Sequence, residues 1–257
     1  MNEEKFYQHK NYLKQDQYKS DNNLNARIHL HRNYSVNPAN WFDWVFSHID
    51  IKIDDEVLDV GCGPSGLWVN QIGKQSFPKN CLLTDLSFGM VKTSQNIIGN
   101  QALYANVDAM FLPFASNSAD VIIANHMLYH VPDIEQTLVG FQRVLKPGGT
   151  LYAVTNGENH LVEMMDIAKK FTPSTIKFSR FSQSFSTENG ADKLKKLFDR
   201  VDVIPFPDKL VVPIPTPIID YIKSMITKEE SIDLKYDEFR NYLEKEIEEK
   251  GPIQITK

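Results

Sequence analysis

The sequence predicts an α/β fold, a doubly wound and mostly parallel sheet with an N-terminal helical cap and a C-terminal helical and strand extension. Three observations predict it. From Glu56 onward, short apolar runs alternate with helical segments, the rhythm of a parallel sheet. A buried-strand pattern at Val57 runs straight into a glycine-rich turn and then a helix. The 257 residues are 42% hydrophobic and 24% charged, ordinary proportions that can bury a core without staples.

Taken in order, the opening stretch through Asn25 is polar and rich in Tyr and Asn, after which Leu24, Ile28 and His31 recur at helical spacing. Asn37 before Pro38 reads as an N-cap followed by proline at the first helical position, with Trp41, Val45 and Ile49 along one face. Strands are expected at residues 57–60, 81–84, 103–107, 121–124 and 150–155, and helices at 67–72, 88–98, 134–145 and 161–171. Right-handed crossovers between such units wind helices onto both faces of the sheet. Beyond Phe171 the expectation is a loose Ser-, Thr- and Phe-rich stretch, a helix at 191–198, and a strand at 201–204. A segment punctuated by Pro205, Pro207, Pro213, Pro215 and Pro217 follows. A short helix at 218–226 and an acidic surface helix at 237–249 come next, and residues 253–256 read as an antiparallel strand extending the sheet. The organisation expected is a helical cap over 1–50, a cofactor-binding core over 51–156, and a C-terminal part of the same domain over 157–257 carrying an acceptor-side insertion.

Composition excludes several classes. Lys plus Arg number 28 against 33 Asp plus Glu, a formal charge of -5, which argues against a nucleic-acid footprint. Two cysteines, Cys62 and Cys81, are too few for a disulfide framework or a four-ligand zinc site. With neither a basic, apolar leader nor ~20 uninterrupted apolar residues, the expectation is a soluble, cytoplasmic protein.

The chemistry concentrates at residues 57–66, V-L-D-V-G-C-G-P-S-G. Glycines here let a cofactor approach the backbone, and the pattern alone also fits a dinucleotide fingerprint with Asp85 at ribose distance. A pyrophosphate wants free N–H donors and positive potential. Asp59 at the strand tip opposes that, and Pro64 removes one donor. A cofactor presenting an ammonium and a sulfonium, with no phosphate, welcomes an acidic residue there. A strand-ending carboxylate that merely caps the turn is the plain alternative.

Further motifs follow in order: L-L-T-D-L-S-F-G-M at 82–90, N-V-D-A-M-F-L-P-F at 106–114, A-D-V-I-I-A-N-H-M-L-Y-H-V-P-D at 119–133, and L-K-P-G-G-T-L at 145–151. Over roughly residues 55–155 the chain resembles the class I S-adenosylmethionine-dependent methyltransferases, of the small-molecule branch that includes the quinone-biosynthesis type. The resemblance implies a Rossmann-like fold and S-adenosyl-L-methionine as cofactor. By position it implies that Asp59 and the backbone of Gly61 and Gly63 line the methionine end and that Asp85 accepts both ribose hydroxyls. It also implies that Leu86 and Met90 sandwich the adenine, that Asp108 accepts from the adenine amine while the Ala109 amide donates to the ring, and that Asn125 lies near the methionine moiety. Arg32, with Tyr34 as an alternative, is placed to reach the cofactor carboxylate, about as readily as to serve plain surface packing.

Methyl displacement from a cationic sulfur is dominated by positioning, which accounts for roughly 7–11 kcal/mol of barrier, while a base adds about 10²–10⁴-fold where the acceptor loses a proton. His126 is the candidate base; His130, four residues on, reads as a packed histidine. A metal pair is disfavoured, since Asp133 is the nearby carboxylate and follows Pro132. Cys62 reads as a small filler. Trp41, Phe42 and Trp44 read as core, and Phe171, Phe178, Phe181 and Phe185 fit an apolar acceptor pocket or a hydrophobic lid equally. The expected acceptor is a small molecule. Residues 125–128, N-H-M-L, depart from the [DN]-P-P-[FY] tetrad of amino-group methylation on nucleobases, so nucleic acid is disfavoured. The rival readings are an NAD(P)-dependent oxidoreductase and a non-catalytic S-adenosylmethionine-binding module. Oligomeric state is not legible.

Overall fold

The computed structural model of the protein describes residues 22–74, 77–172, 184–226 and 235–257. In chain order its elements are α1 (Asn22–Tyr34), α2 (Trp41–Ser47), β1 (Glu56–Val60), α3 (Gly66–Val69), β2 (Asn80–Asp85), α4 (Phe88–Ile98), β3 (Leu103–Asn106), β4 (Ala119–Asn125), α5 (Ile134–Val144), β5 (Leu145–Val154), α6 (Val162–Ala168), α7 (Gly190–Leu194), β6 (Lys209–Val212), α8 (Thr216–Lys223), α9 (Tyr236–Lys250) and β7 (Ile253–Thr256). They fall into two compact units. One holds Ala39–Glu158 with 184–204; the other holds 22–38, 159–172, 205–226 and 235–257. The division cuts across the blocks 1–50, 51–156 and 157–257.

The first unit is built on a five-stranded parallel sheet of order β3-β2-β1-β4-β5. β1 lies at its centre, and Val57, Leu58, Asp59 and Val60 are all buried, as a strand covered on both faces must be. Chain direction across the sheet reverses between β1 and β4, so the carboxyl ends of those strands open a crevice at a topological switch point. The strands at 57–60, 81–84, 103–107, 121–124 and 150–155 are all present with edges moved by a few residues. Ser87 caps α4 by accepting from the Met90 N–H, and Asp133 caps α5 by accepting from Gln136 N–H at 2.9 Å. The apolar stripe of α5, Leu138, Phe141 and Val144, is 0–1% exposed against the sheet. Near the start of β5, where its register with β4 shifts, the K-P-G-G run at 146–149 requires its last glycine. A Cβ at Gly149 would stand 2.9 Å from the Asp120 carbonyl and 3.0 Å from that of Lys146.

Three sequence expectations are corrected here. Residues 201–204 form no strand: Val203 and Ile204 are more than half exposed, and the donorless Pro205 and Pro207 follow at once. The strand at 253–256 exists, but it pairs antiparallel with β6 in a separate two-stranded sheet, Lys209↔Thr256 through Val212↔Ile253, and does not extend the parallel one. Among the surrounding prolines, K-L-V-V is the proline-free run whose Leu210 and Val212 alternate inward, and they meet Ile255 in the second unit's core. Finally, Asn40, not Asn37, caps α2, accepting from Phe42 N–H at 3.0 Å and Asp43 N–H at 3.1 Å. Asn37 belongs to the second unit, where its N–H donates to Asp208 Oδ1 at 3.0 Å.

The second unit packs Leu30, Leu161, Met164, Ile218, Ile222, Phe239 and Leu243, all 0–1% exposed, around β6 and β7. Tyr34 joins this core. Phe171 stacks on Phe239 at 5.2 Å here, whereas Phe185 is 2% exposed in the first unit's core; Phe178 and Phe181 lie outside the described residues. Among the described residues no helix is long and apolar enough to cross a membrane.

Candidate cofactor site

The crevice at the tips of β1, β2 and β4 gathers most of the residues singled out above. The strand β1 delivers Asp59 into the interior, 2% exposed, and its Oδ2 accepts from the Trp68 indole N–H at 2.7 Å. Asp59 Oδ1 is buried with no hydrogen-bond partner. Burial drives this carboxyl up to about 7; the Trp68 N–H pulls against that and the nearby Asp85 adds to it. Leaving such an oxygen unpaired in the interior costs about 1–3 kcal/mol or more, so Asp59 Oδ1 would gain from a ligand's donor.

The glycine loop follows. Gly61 and Cys62 N–H both donate to the Thr84 carbonyl, at 2.8 and 2.9 Å, binding the loop to β2. Gly61 has φ +73°, and a Cβ there would stand 2.7 Å from Met127 Cβ, so only glycine lets the β4 tip close over the loop. Asp85 ends β2 and joins both sides of the crevice: Oδ2 accepts from Gly63 N–H at 3.0 Å, and Oδ1 from Ser87 N–H at 2.7 Å. Loss of solvent pushes its carboxyl up to about 6 against those two donors. Each oxygen keeps acceptor capacity for a further donor.

Asn106, at the end of β3, donates from Nδ2 to the carbonyls of Asp85 at 2.8 Å and Leu86 at 2.9 Å and so fixes the turn carrying both residues. Asp108 accepts from Met110 N–H at 3.1 Å, capping the turn in which Ala109 is buried. Asn125 ends β4 with its Oδ1 buried and without a partner, a second orphaned oxygen at the same edge of the sheet.

His126 leaves β4 at φ +55°, its N–H donating to the Val154 carbonyl at 3.0 Å. A left-handed histidine at a strand tip is the kind of backbone strain that gathers at functional sites. Its ring lies 5.5 Å from Trp41 and 6.3 Å from Tyr129. The segment Leu128–His130 is a 3₁₀ turn, so His126 and His130 do not share an α-helical face. α2 is fastened beside them: Asp43 accepts from Lys74 Nζ at 2.6 Å, Gln71 Nε2 at 3.2 Å and Asn70 Nδ2 at 2.6 Å, and the Phe42 ring packs on Gly66.

Two predicted positions read differently in three dimensions. Met90 is 1% exposed, tucked inside the helix–sheet layer, so as the site stands it offers no face for stacking; Leu86 is partly exposed. Arg32 is exposed on α1, in the second unit. Sequence reasoning missed Trp68, Asn106 and Met127. Trp68 reads as one more apolar residue of a short helix, and its hydrogen bond to a residue nine positions back depends on the intervening loop. Cys62 is held as a thiol: burial first, then the Asp59 and Asp85 carboxylates, push it well above its usual range. Among the described residues no three His, Cys, Asp or Glu side chains form a metal-binding group.

A parallel sheet of this order, with a glycine loop between two acidic strand tips, defines a Rossmann-like cofactor-binding domain. Residues 58–153 match the family model described as a methyltransferase domain. Curated relatives include the methyltransferase GfsG of Streptomyces halstedii, 30% identical over 42% of this chain and 40% of that protein. A ubiquinone/menaquinone biosynthesis C-methyltransferase of Teredinibacter turnerae is 30% identical over 48% and 52%. The chain thus spans about half the length of the curated relatives it first matches. Among solved structures, a methyltransferase of Bacillus halodurans titled putative shares the fold at TM-score 0.58, with 15% identity over 84% of this chain and 94% of that one.

Proposed function

We propose that the protein transfers a methyl group from S-adenosyl-L-methionine to a small-molecule acceptor. The observation that carries the reading is the unpartnered Oδ1 of Asp59, aligned by Trp68 beside the glycine loop. A buried, half-satisfied carboxylate suits the ammonium of a methionine moiety. It would repel a pyrophosphate, and Gly63 N–H, one of the donors a pyrophosphate would need, is already given to Asp85. Relatives named for methyl transfer in quinone biosynthesis support a small-molecule acceptor.

The residues divide the work by position. Asp59 holds the ammonium, with the Gly61 and Gly63 backbone beside it; Asp85 takes the ribose hydroxyls on the remaining lone pairs of its two oxygens. Leu86 covers one adenine face, and Asp108 with the Ala109 amide reads the adenine edge. Asn125 Oδ1 accepts at the methionine end. Bound S-adenosylmethionine supplies an electrophilic methyl on a cationic sulfur. The chain's share is then to align the acceptor and exclude water, worth roughly 7–11 kcal/mol for a well-oriented pair. Where the acceptor gives up a proton, His126 takes it on an imidazole held by its strained backbone and the Trp41 ring.

Calorimetric titration with S-adenosylhomocysteine and separately with NADH tests this reading. The expected result is binding of the first only, weakened at least about 100-fold in Asp85→Ala, two charge-assisted hydrogen bonds being lost. Binding of NADH alone would move the protein to the oxidoreductases.

A further inference from the structure

The indole of Trp68 is the group that makes Asp59 usable. Trp68 is 1% exposed on α3, immediately after the glycine loop, with Phe46 at 5.8 Å edge-on and Phe77 at 5.2 Å fixing its ring. Its N–H has one acceptor, Asp59 Oδ2, at 2.7 Å. An indole donates and cannot accept, so this contact favours the charged carboxylate over the neutral acid. It also occupies Oδ2 and leaves Oδ1 as the oxygen open to a ligand.

We propose that Trp68 is a positioning residue for cofactor binding: its N–H fixes the Asp59 carboxyl group in one orientation and favours its charged form when a cationic ligand reaches Oδ1. The inference rests on the methyl-donor reading above and adds a residue outside the motif. Among its titratable neighbours, Asp85 from β2 works against the ionisation of Asp59, while Cys62 from the loop and Cys81 from β2 are held as neutral thiols and lend it no favourable charge. Among the described residues no Lys, Arg or His acts on it, so there the indole N–H is the favourable polar contact of the side chain before a ligand arrives. Cofactor binding would bring the first formal positive charge to Oδ1 and complete the ionisation, releasing the proton to solvent.

The test uses the intact protein and S-adenosylhomocysteine. In wild type, affinity should rise with pH through a midpoint near 7, the value for Asp59. In Trp68→Phe, which keeps an aromatic ring between Phe46 and Phe77, the midpoint should move up by about one pH unit, with about fivefold weaker binding at pH 7, rising to about tenfold at lower pH. A merely structural role would weaken binding equally at all pH values. A parallel readout needs no variant: the Trp68 indole N–H proton resonance of wild type should titrate with the same midpoint. Adding S-adenosylhomocysteine at pH 6 should carry it to its high-pH position. Failure of wild type to bind S-adenosylhomocysteine would overturn the cofactor reading and this role with it. Binding with an unmoved midpoint in Trp68→Phe, or an indole resonance indifferent to pH, would overturn the role of Trp68 alone.

Discussion

Two buried aspartates, one in each unit, are treated in opposite ways. Asp59 in the parallel-sheet unit has a single donor and one oxygen with no partner. Asp208 in the other unit, its side chain 0% exposed, accepts from Ser35 Oγ at 2.6 Å, Asn37 N–H at 3.0 Å, Lys209 N–H at 2.8 Å and Lys257 Nζ. Burial pushes both carboxyls up. For Asp208 the Lys257 ammonium, the Ser35 hydroxyl and the Asn37 amide outweigh it and hold the group below 3.8, while Asp59 is left near 7. A carboxylate that closes structure is saturated by its own chain; one that waits for a ligand is not.

That contrast predicts opposite signs on mutation. Asp208→Ala leaves Lys257 facing a half-emptied site and should destabilise the protein by about 2–4 kcal/mol at neutral pH, read by denaturant unfolding. Because its folded value is depressed, this stability is present above the unfolded pKa and is lost as pH falls through the folded one. Asp59→Asn should do the reverse. Its folded value lies above the unfolded 3.8, so the free protein loses stability as pH climbs from about 4 to 7. The neutral isostere should therefore stabilise the free protein by about 2 kcal/mol at pH 8 while binding S-adenosylhomocysteine far more weakly. A destabilised Asp59→Asn would break the comparison.

A smaller effect sharpens it. Asn40→Ala removes the cap that starts α2 beside the site and should reduce stability by about 1 kcal/mol, whereas Asn37→Ala should leave α2 unaffected because its contacts are in the other unit. Thermal unfolding of the two variants decides between the capping positions.

What the sequence disclosed follows the same division. Residues 57–66 carry strand, turn and helix in one contiguous run, Asp85 and Asn125 each close a strand and Asp108 follows one by two residues, so the first unit's strands and their polar tips could be read directly. The pairing of β6 with β7 could not, because its partners lie more than forty residues apart and the strand 209–212 is hidden among prolines. Nor could the contacts that finish the site. Met127 meets Gly61, Asn106 holds the Asp85–Leu86 turn, and Trp68 bonds Asp59, each decided by how neighbouring strands and loops stack and not by local pattern. Met90 shows the converse: the resemblance implied that it pairs with Leu86 against the adenine, but the fold buries it in the interior.

The most direct test of the central claim, that Asp59 is kept partly protonated until a cationic ligand claims it, is the proton count on binding. Calorimetry of S-adenosylhomocysteine in buffers of different ionisation enthalpy should show release of about one proton or more at pH 6 and almost none at pH 8.5. Binding that releases no proton at pH 6 would mean that Asp59 is already ionised or stays neutral in the complex, and would contradict the account.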